Sequence, residues 1–355
     1  MGGGEFAKYA ARLRAFMARG EEDEVEFNRL ALELFRLQFE RVAIYREFCL
    51  SRKTKPEMIT RWQDVPALPT DTFKEFKVTS LEAEERSAVF YSSGTTAEDR
   101  SRHFHSTESL ALYEDSLRPW FRRHFLADEI EMALVLLTPS REAAPHSSLV
   151  HMFDTIATSF PWASVGTAGL VSADGAWEVD AQRALDVLRE AKKPVALLGT
   201  AFSFVHLLDA NADERLRLPR GSRVLETGGY KGRSRELPKM ELHGLMRERL
   251  GIDLTHIVSE YGMSELTSQA YDRVAGGAGG VFQFPPWTRV DIVSPETGRV
   301  AAAGETGLLR VFDLANARSV FALQTADLAA RRGAGFELLG RAEAATLRGC
   351  SLMSA

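Results

Sequence analysis

The chain has 355 residues, enough for two domains or for one large domain with an appendage. Hydrophobic residues make up 45% and charged residues 26% of it, which argues against long disordered stretches, collagen and coiled coils. A net charge of −5 lacks the basic footprint of a nucleic-acid-binding or membrane-surface protein, so we expect no nucleic-acid partner.

The first 80 residues are predicted to be mostly helical, with one amphipathic helix from Glu24 to Leu50. From Ala88 onward, short apolar runs alternate with helical stretches. The predicted strands are Ala88–Tyr91, Ala133–Leu137, Val195–Leu198, Val224–Glu226 and His256–Val258. The predicted helices are Glu108–Phe125, Ser148–Phe160, Asp180–Ala191, Ala201–Ala210 and Ser234–Leu250. This alternation predicts an α/β fold with a mainly parallel sheet flanked by helices.

After the glycine-rich residues 276–280 the helical signal fades. Short strands at Trp287–Val293, Gly307–Phe312 and Ser319–Gln324 predict a small antiparallel β-subdomain. The longest apolar neighbourhood, Val195 to Leu208, is interrupted by polar residues and is too short to span a bilayer. We therefore expect no membrane insertion.

A turn rich in hydroxyl groups follows the strand predicted at Ala88–Tyr91. Its residues are Ser92, Ser93, Gly94, Thr95 and Thr96. Hydroxyls and backbone N–H groups in such a turn suit phosphate oxygens, because both donate hydrogen bonds without bulk. The turn is not a Walker loop, so Arg100 or Arg102 must supply the positive charge. The alternative is a Ser/Thr turn that only caps a helix.

This turn resembles the phosphate loop of the adenylate-forming enzymes, the superfamily of acyl-CoA synthetases, peptide-synthetase adenylation domains and luciferases. Four further segments match the superfamily in the same order: Glu226–Gly232, Tyr261–Glu265, Asp327 and Gly340–Glu343. The residues that the resemblance assigns to nucleotide binding are Gly228, Gly229, Tyr230, Tyr261, Gly262, Ser264 and Asp327. It implies that the glycines pack on adenine, that Tyr261 stacks on the base and that Asp327 binds the ribose hydroxyls. Glu265 is the expected Mg²⁺ ligand.

Activation of a carboxylate by ATP needs a cradle for the phosphates, a divalent cation and a hold on the sugar. The matched residues supply these parts, so the expected cofactors are ATP and Mg²⁺. A typical member continues for roughly a hundred residues beyond the hinge, about one small domain that carries a catalytic lysine. Here the chain stops fourteen residues after Arg341, so we expect that domain to be absent. Lys231, Arg233 and Arg341 are the candidate cations that replace its lysine.

The ending Arg348–Ala355, with Cys350, resembles the acyl-protein synthetases of bacterial bioluminescence, the LuxE-type family. That resemblance covers the chain from about Trp62 to its end. It implies that Cys350 becomes acylated and that the acyl group passes to a partner reductase. Neighbouring Arg348 favours the reactive thiolate. The chain has only one other cysteine, Cys49, so no disulfide scaffold is available and a cytoplasmic location is expected.

The predicted organisation is a helical N-terminal region at 1–80, an adenylate-forming core at 81–340 with the β-subdomain at about 281–340, and a mobile tail at 341–355. Two other functions remain open. The acyl group could go to coenzyme A or a carrier protein, with Cys350 a bystander, or the chain could be a non-catalytic subunit that binds an acyl or nucleotide ligand. The sequence does not identify the acid, although a fatty acid is favoured.

Overall fold

The computed structural model describes residues 3–92, 100–173, 175–229 and 235–342. They form two compact units. The first comprises Met1–Leu117, Gly262–Ala270 and Val281–Ala355, and the second comprises Arg118–Tyr261 and Tyr271–Gly280. Within the described residues, no helix combines the length and the hydropathy needed to cross a membrane.

Nine α-helices lie in the described part of the chain. They are α1 (Gly3–Arg19), α2 (Glu24–Arg41), α3 (Ala43–Ser51), α4 (Thr72–Glu75), α5 (Thr107–Phe125), α6 (Ser148–Ser159), α7 (Ala181–Glu190), α8 (Ala201–Ala210) and α9 (Lys239–Leu250). The helices predicted between the strands are confirmed; α8 has the predicted bounds, and α9 starts five residues later than expected.

The strands are β1 (Leu68–Pro69), β2 (Ala88–Tyr91), β3 (Arg102–His105), β4 (Ala133–Leu136), β5 (Ser164–Thr167), β6 (Gly169–Val171), β7 (Trp177–Val179), β8 (Val195–Thr200), β9 (Arg223–Thr227), β10 (Ile257–Tyr261), β11 (Ala270–Tyr271), β12 (Thr288–Val293), β13 (Thr306–Asp313), β14 (Ala322–Arg332) and β15 (Gly335–Arg341). The strands outside the predicted set include β1, β5, β6, β7, β11 and β15. Strands β5 to β7 are short and partly exposed, so they lack the continuous apolar run that marks a buried strand.

The expectation of one helix from Glu24 to Leu50 is wrong, because the helix breaks at Val42. Its backbone is extended, with φ −103° and ψ 96°. The Val42 N–H donates to Gln38 O at 2.8 Å and its carbonyl accepts from Arg46 N at 3.0 Å, so Val42 ends α2 and starts α3. A β-branched residue adopts extended backbone readily, and full burial of Val42 helps to hold the bend.

In the first unit, the five-stranded sheet runs β1-β14-β13-β12, and β15 also pairs with β14. Strands β12 to β15 pair antiparallel with one another, which confirms the predicted antiparallel subdomain, whereas β1 pairs in parallel with β14. A glycine is required at position 307, because a Cβ there would lie 2.6 Å from Val293 O. Strands β2 and β3 form a separate antiparallel hairpin in this unit.

The sheet of the second unit has the order β11-β10-β9-β8-β4-β5. The pairs from β10 through to β5 are parallel, as predicted. All six residues of β8 are buried, the pattern of a strand covered on both faces. On one face, side chains from α7, α8 and α9, among them Leu185, Phe204 and Met246, form a continuous core with the strands. Each such buried side chain contributes about 1.5–3 kcal/mol.

Candidate active site

Part of the predicted site lies outside the described residues. These positions are Ser93, Gly94, Thr95, Thr96, Tyr230, Lys231, Arg233 and Cys350. The other predicted positions are described, some in each unit. The first unit holds Ser92, Arg100, Gly262, Ser264, Glu265, Asp327 and Arg341, and the second holds Gly228, Gly229 and Tyr261.

Glu265 is a buried carboxylate, with 7% of its surface exposed. Ser101 Oγ donates a hydrogen bond to its Oε1. Burial raises the pKa of Glu265, while the bond from Ser101 and the charges of Arg341 and Lys74 act in the opposite direction. The carboxylate therefore lies in a low-dielectric environment close to two cations, which increases its interaction with any further charge.

The backbone around Glu265 is held by side chains from distant segments. Asn316 Nδ2 donates to Glu265 O at 2.8 Å and to Val320 O at 2.9 Å. His103 Nδ1 lies 2.8 Å from Ser264 O. Burial lowers the pKa of His103 to about 4, so the ring is neutral near pH 7 and Nδ1–H donates to the carbonyl.

Asp313 anchors the residues that follow Glu265. It is completely buried and accepts hydrogen bonds from Thr267 N at 2.9 Å and from Ser268 N and Oγ, both at 2.7 Å. Burial raises the pKa of Asp313, and these hydrogen bonds oppose the shift. Together with Asn316, Asp313 fixes the path of the Glu265 segment on the first unit.

Ser92 and Ser101 pair at the end of the β2–β3 hairpin where the two strands are joined by the loop. Ser101 N donates to Ser92 Oγ at 2.9 Å, and Ser92 N donates to Ser101 O at 3.2 Å. Of the two arginines considered for the phosphates, Arg100 is exposed, whereas Arg102 Nη2 donates to Lys74 O at 3.0 Å. Arg102 is thus engaged with the backbone of α4.

Asp327 and Arg341 lie opposite each other on β14 and β15. Asp327 is half-buried, and its N–H donates to Thr325 Oγ1 at 3.1 Å. The β14–β15 register shifts between Leu328 and Ala329. Gly340 has a φ of +129°, a conformation that side chains rarely adopt, so glycine suits this irregular stretch of the ladder. The structure therefore places the predicted ribose ligand beside a cation that acts on Glu265.

In the second unit, Gly228 and Gly229 follow the carboxyl end of β9, and Tyr261 is the last residue of the neighbouring parallel strand β10. Thr227 on β9 and Glu260 on β10 are register partners, so Gly228 and Tyr261 come next on each strand. Gly229 has a φ of +112°, which a residue with a Cβ rarely adopts. Ligands of open α/β sheets bind beyond the carboxyl ends of the strands, which is where these three residues lie.

Two acidic side chains precede these residues: Glu226 lies two positions before Gly228, and Glu260 lies directly before Tyr261. Glu226 Oε2 accepts a hydrogen bond from Ser259 Oγ at 3.2 Å and lies 3.5 Å from His243 Nε2. Burial, and then the charge of Glu226, raise the pKa of Glu260 to about 8. Glu260 is consequently neutral near pH 7 and can donate a hydrogen bond.

Five residues of this environment were not identified from the sequence: Lys74, Ser101, Asp313, Asn316 and Glu260. None of them belongs to a sequence motif, and the role of each follows from its position or its burial in the folded chain. Of the two cysteines, Cys49 lies among the described residues. Cys49 is buried on α3, and burial raises the pKa of its thiol to about 12. Within the described residues, no group of three or more His, Cys, Asp and Glu side chains is arranged to hold a metal ion.

Comparison with known proteins gives a family match over nearly the whole chain. The model of the family described as acyl-protein synthetase, LuxE, matches residues 11–355. A long-chain-fatty-acid–luciferin-component ligase of Aliivibrio fischeri is 24% identical, over 94% of this chain and 89% of the relative. The enzyme of the same name from Vibrio harveyi is also 24% identical, over 87% and 82%. These matches confirm the predicted LuxE-type resemblance.

Solved structures of adenylate-forming enzymes share the fold. A 2-hydroxyisobutyryl-CoA ligase has a TM-score of 0.66 at 14% identity, over 92% of this chain and 71% of that one. ATP-bound MatB from Rhodopseudomonas palustris has a TM-score of 0.51 at 17% identity, over 75% of this chain. The aligned part spans about half the length of MatB. At these identities the likeness shows the fold alone, and it confirms the predicted fold class.

Proposed function

The chain belongs to the LuxE family of acyl-protein synthetases, a family of ligases, and from that premise we propose that it activates a fatty acid with ATP and transfers the acyl group to its own Cys350. The observation that carries the proposal is the buried Glu265 carboxylate, held by Ser101 and near the charges of Arg341 and Lys74. A binding subunit without catalysis needs no such carboxylate.

In the first step, a carboxylate oxygen of the acid attacks the α-phosphorus of ATP. A P–O bond forms to the acid, the bond to pyrophosphate breaks, and pyrophosphate leaves with the electron pair. Mg²⁺ at nucleotide sites is bound by one or two carboxylates together with substrate phosphates and water. A single buried carboxylate such as Glu265 fits that pattern. The metal would offset the negative charge of the phosphates.

Each unit is assigned a different part of the nucleotide. In the first unit, Ser92 with Ser93, Gly94, Thr95, Thr96 and Arg100 would bind phosphate oxygens, and Asp327 the ribose hydroxyls. In the second unit, Gly228, Gly229 and Tyr230 would contact the adenine, on which Tyr261 would stack. Gly262 and Ser264 would shape the backbone that leads to Glu265. The remaining cations, Lys231, Arg233 and Arg341, would stabilise charge on the phosphorus.

In the second step, the Cys350 thiolate attacks the carbonyl carbon of the acyl-adenylate. A C–S bond forms, the C–O bond to AMP breaks, AMP leaves with the electron pair, and the thiol proton goes to solvent. This is covalent nucleophilic catalysis. Cys49 is a poor alternative acceptor, because its thiol is buried and its high pKa leaves almost no thiolate near neutral pH.

The proposed substrate is a long-chain fatty acid, and the proposed acceptor of the acyl group is a reductase-like protein partner. The proposed fatty-acid substrate rests on the names of the two curated relatives, which are 24% identical to this chain. Apolar side chains such as Phe202 and Phe204 are buried on α8, which follows β8 at the carboxyl end of the sheet. The proposed reductase-like partner rests only on the LuxE-type resemblance.

Labelling with a panel of acids tests this function. The protein is incubated with ATP, Mg²⁺ and radiolabelled fatty or aromatic acids, then run on denaturing gels with and without hydroxylamine. We expect the long-chain acids to leave a label that hydroxylamine removes, as it does a thioester. A protein that stays unlabelled but forms acyl-coenzyme A when coenzyme A is added would instead be an acyl-CoA ligase.

A further inference from the structure

Ser101 connects two parts of the first unit that are far apart in the chain. It is 1% exposed, and its hydroxyl donates to Glu265 across a separation of 164 residues. Its own backbone is fixed from the other side, because Ser101 N donates to Ser92 Oγ and Ser101 O accepts from Ser92 N. The hydroxyl is therefore held in place before it meets the carboxylate.

The backbone of Glu265 does not depend on Ser101. Asn316 binds the Glu265 carbonyl at 2.8 Å, and His103 binds the preceding carbonyl of Ser264 at 2.8 Å. Asp313 holds the backbone two and three residues further on. Loss of the Ser101 hydroxyl would leave these contacts in place and remove the hydrogen bond to the carboxylate alone. The hydroxyl thus acts on the direction of the carboxylate rather than on the path of the chain.

A metal-binding carboxylate needs such a partner. A buried Glu side chain has three rotatable bonds, and a hydrogen bond to one oxygen fixes both its rotamer and the direction of the other oxygen. Neighbouring groups that orient a ligand in this way commonly change metal affinity by about 10–100-fold when they are removed. A serine hydroxyl can donate to one carboxylate oxygen and leave the second available.

We propose that Ser101 is a positioning residue for the metal–nucleotide complex and that it acts through Glu265. The inference rests on the proposed function, since it takes Glu265 to be the carboxylate that binds Mg²⁺. It assigns no contact with the nucleotide to Ser101 itself. The two serines of the hairpin end then have different roles, with Ser92 fixing Ser101 and Ser101 fixing Glu265.

The test measures metal binding without turnover. Binding of Mn²⁺ in the presence of α,β-methylene-ATP, which cannot be cleaved between the α- and β-phosphates, is followed by electron paramagnetic resonance. We expect Ser101→Ala to weaken Mn²⁺ binding about tenfold. Ser101→Thr, which keeps the hydroxyl, should restore most of the affinity. Ser87→Ala is the matched control, because Ser87 lies at the other end of the same hairpin and, among the residues that the structure describes, its hydroxyl bonds only the His105 carbonyl.

A double-mutant cycle with Glu265→Gln decides whether Ser101 acts through that residue. We expect Ser101→Ala to add no further loss of Mn²⁺ affinity in the Glu265→Gln background. Additive losses, or wild-type affinity in Ser101→Ala, would overturn the inference. If the wild-type protein itself shows neither metal–nucleotide binding nor acid-dependent pyrophosphate exchange, both the proposed function and the inference about Ser101 are wrong. Normal wild-type exchange with an unaffected Ser101→Ala variant would remove this inference alone.

Discussion

At the scale of single residues, burial raises the pKa of several acidic groups. Glu260 shows this most clearly, because burial and the nearby Glu226 charge raise its pKa from the ordinary value of 4.5 to about 8. It occupies the position directly before Tyr261, at the end of β10. A neutral acid at that position keeps negative charge away from the region proposed to bind adenine.

Glu260 should make the stability of the protein depend on pH. A carboxyl whose pKa is raised by folding stabilises the folded state fully below the unfolded pKa. That stabilisation is lost as pH rises towards the folded pKa. Between about pH 4.5 and 8, ionisation of Glu260 in the unfolded state should therefore lower the unfolding free energy of the wild type by up to about 1.4 kcal/mol per pH unit. Glu260→Gln should lack this contribution, so its unfolding free energy should fall less over the same range. Urea titrations of both proteins at several pH values measure this difference.

Glu226→Gln serves as the companion variant. It removes the negative charge that is the second cause of the shift but leaves Glu260 buried. The pH range over which stability falls should become narrower and end at a lower pH. Parallel pH profiles for the wild type and Glu260→Gln would show that Glu260 is not a neutral buried acid.

At the scale of elements, α2 supports the segment that holds Glu265. Gln38 on α2 is completely buried. Its Nε2 donates to Asn316 O at 2.8 Å and to Ala317 O at 3.1 Å, and its Oε1 accepts from Phe321 N at 3.0 Å. Asn316 in turn binds the Glu265 backbone. The N-terminal helical region, which precedes every matched motif, is therefore part of the support of the site.

Gln38→Leu should destabilise the protein by roughly 3 kcal/mol. The substitution keeps an apolar stem of similar size but leaves two carbonyls and one N–H buried without partners, each at a cost of about 1–3 kcal/mol if unrelieved. Chemical denaturation measures the loss. Gln182→Leu is the control, since Gln182 is exposed on α7 and its side chain bonds Asp186 on its own helix and no other residue in the described part of the chain. It should change stability by less than about 0.5 kcal/mol. Equal effects of the two variants would contradict the role of Gln38.

At the scale of the whole molecule, the two proposed chemical steps use separate parts of the chain. Cys350 lies outside every segment assigned to phosphate, ribose or adenine. Cys350→Ser should accordingly keep acid-dependent pyrophosphate exchange within about twofold of wild type while losing the hydroxylamine-labile acyl label, because serine forms practically no alkoxide near neutral pH. Exchange assays and acyl labelling measure the two steps separately.

The matched control for that variant is Cys49→Ala. The Cys49 thiol is buried with a pKa of about 12, so its removal should leave the acyl label unchanged. Full labelling of Cys350→Ser would show that Cys350 is not the acceptor. Loss of label in Cys49→Ala with retained exchange would identify Cys49 in its place.

The sequence by itself determined most of the elements and the family. Strands such as β2 and β8 and helices such as α8 were predictable, because burial of one or both faces leaves a pattern of apolar residues that is visible within a short stretch of sequence. The order of the short motifs indicated the adenylate-forming superfamily, and the ending with Cys350 indicated the LuxE-type family, which the family match confirms. The break at Val42 was not predictable, because the apolar pattern of α2 continues through it and only packing decides where the helix bends.

Only the tertiary structure decided what surrounds the candidate site. Ser101 and Glu265 are 164 residues apart, and Asp313 binds Ser268 over 45 residues. No local pattern marks such partners, since each is an ordinary polar residue whose role arises when the chain path brings two segments together. The same holds for charge state: the sequence shows Glu260 and Cys49 as ordinary ionisable groups. Their raised pKa values follow from removal of water, which is a property of the folded environment.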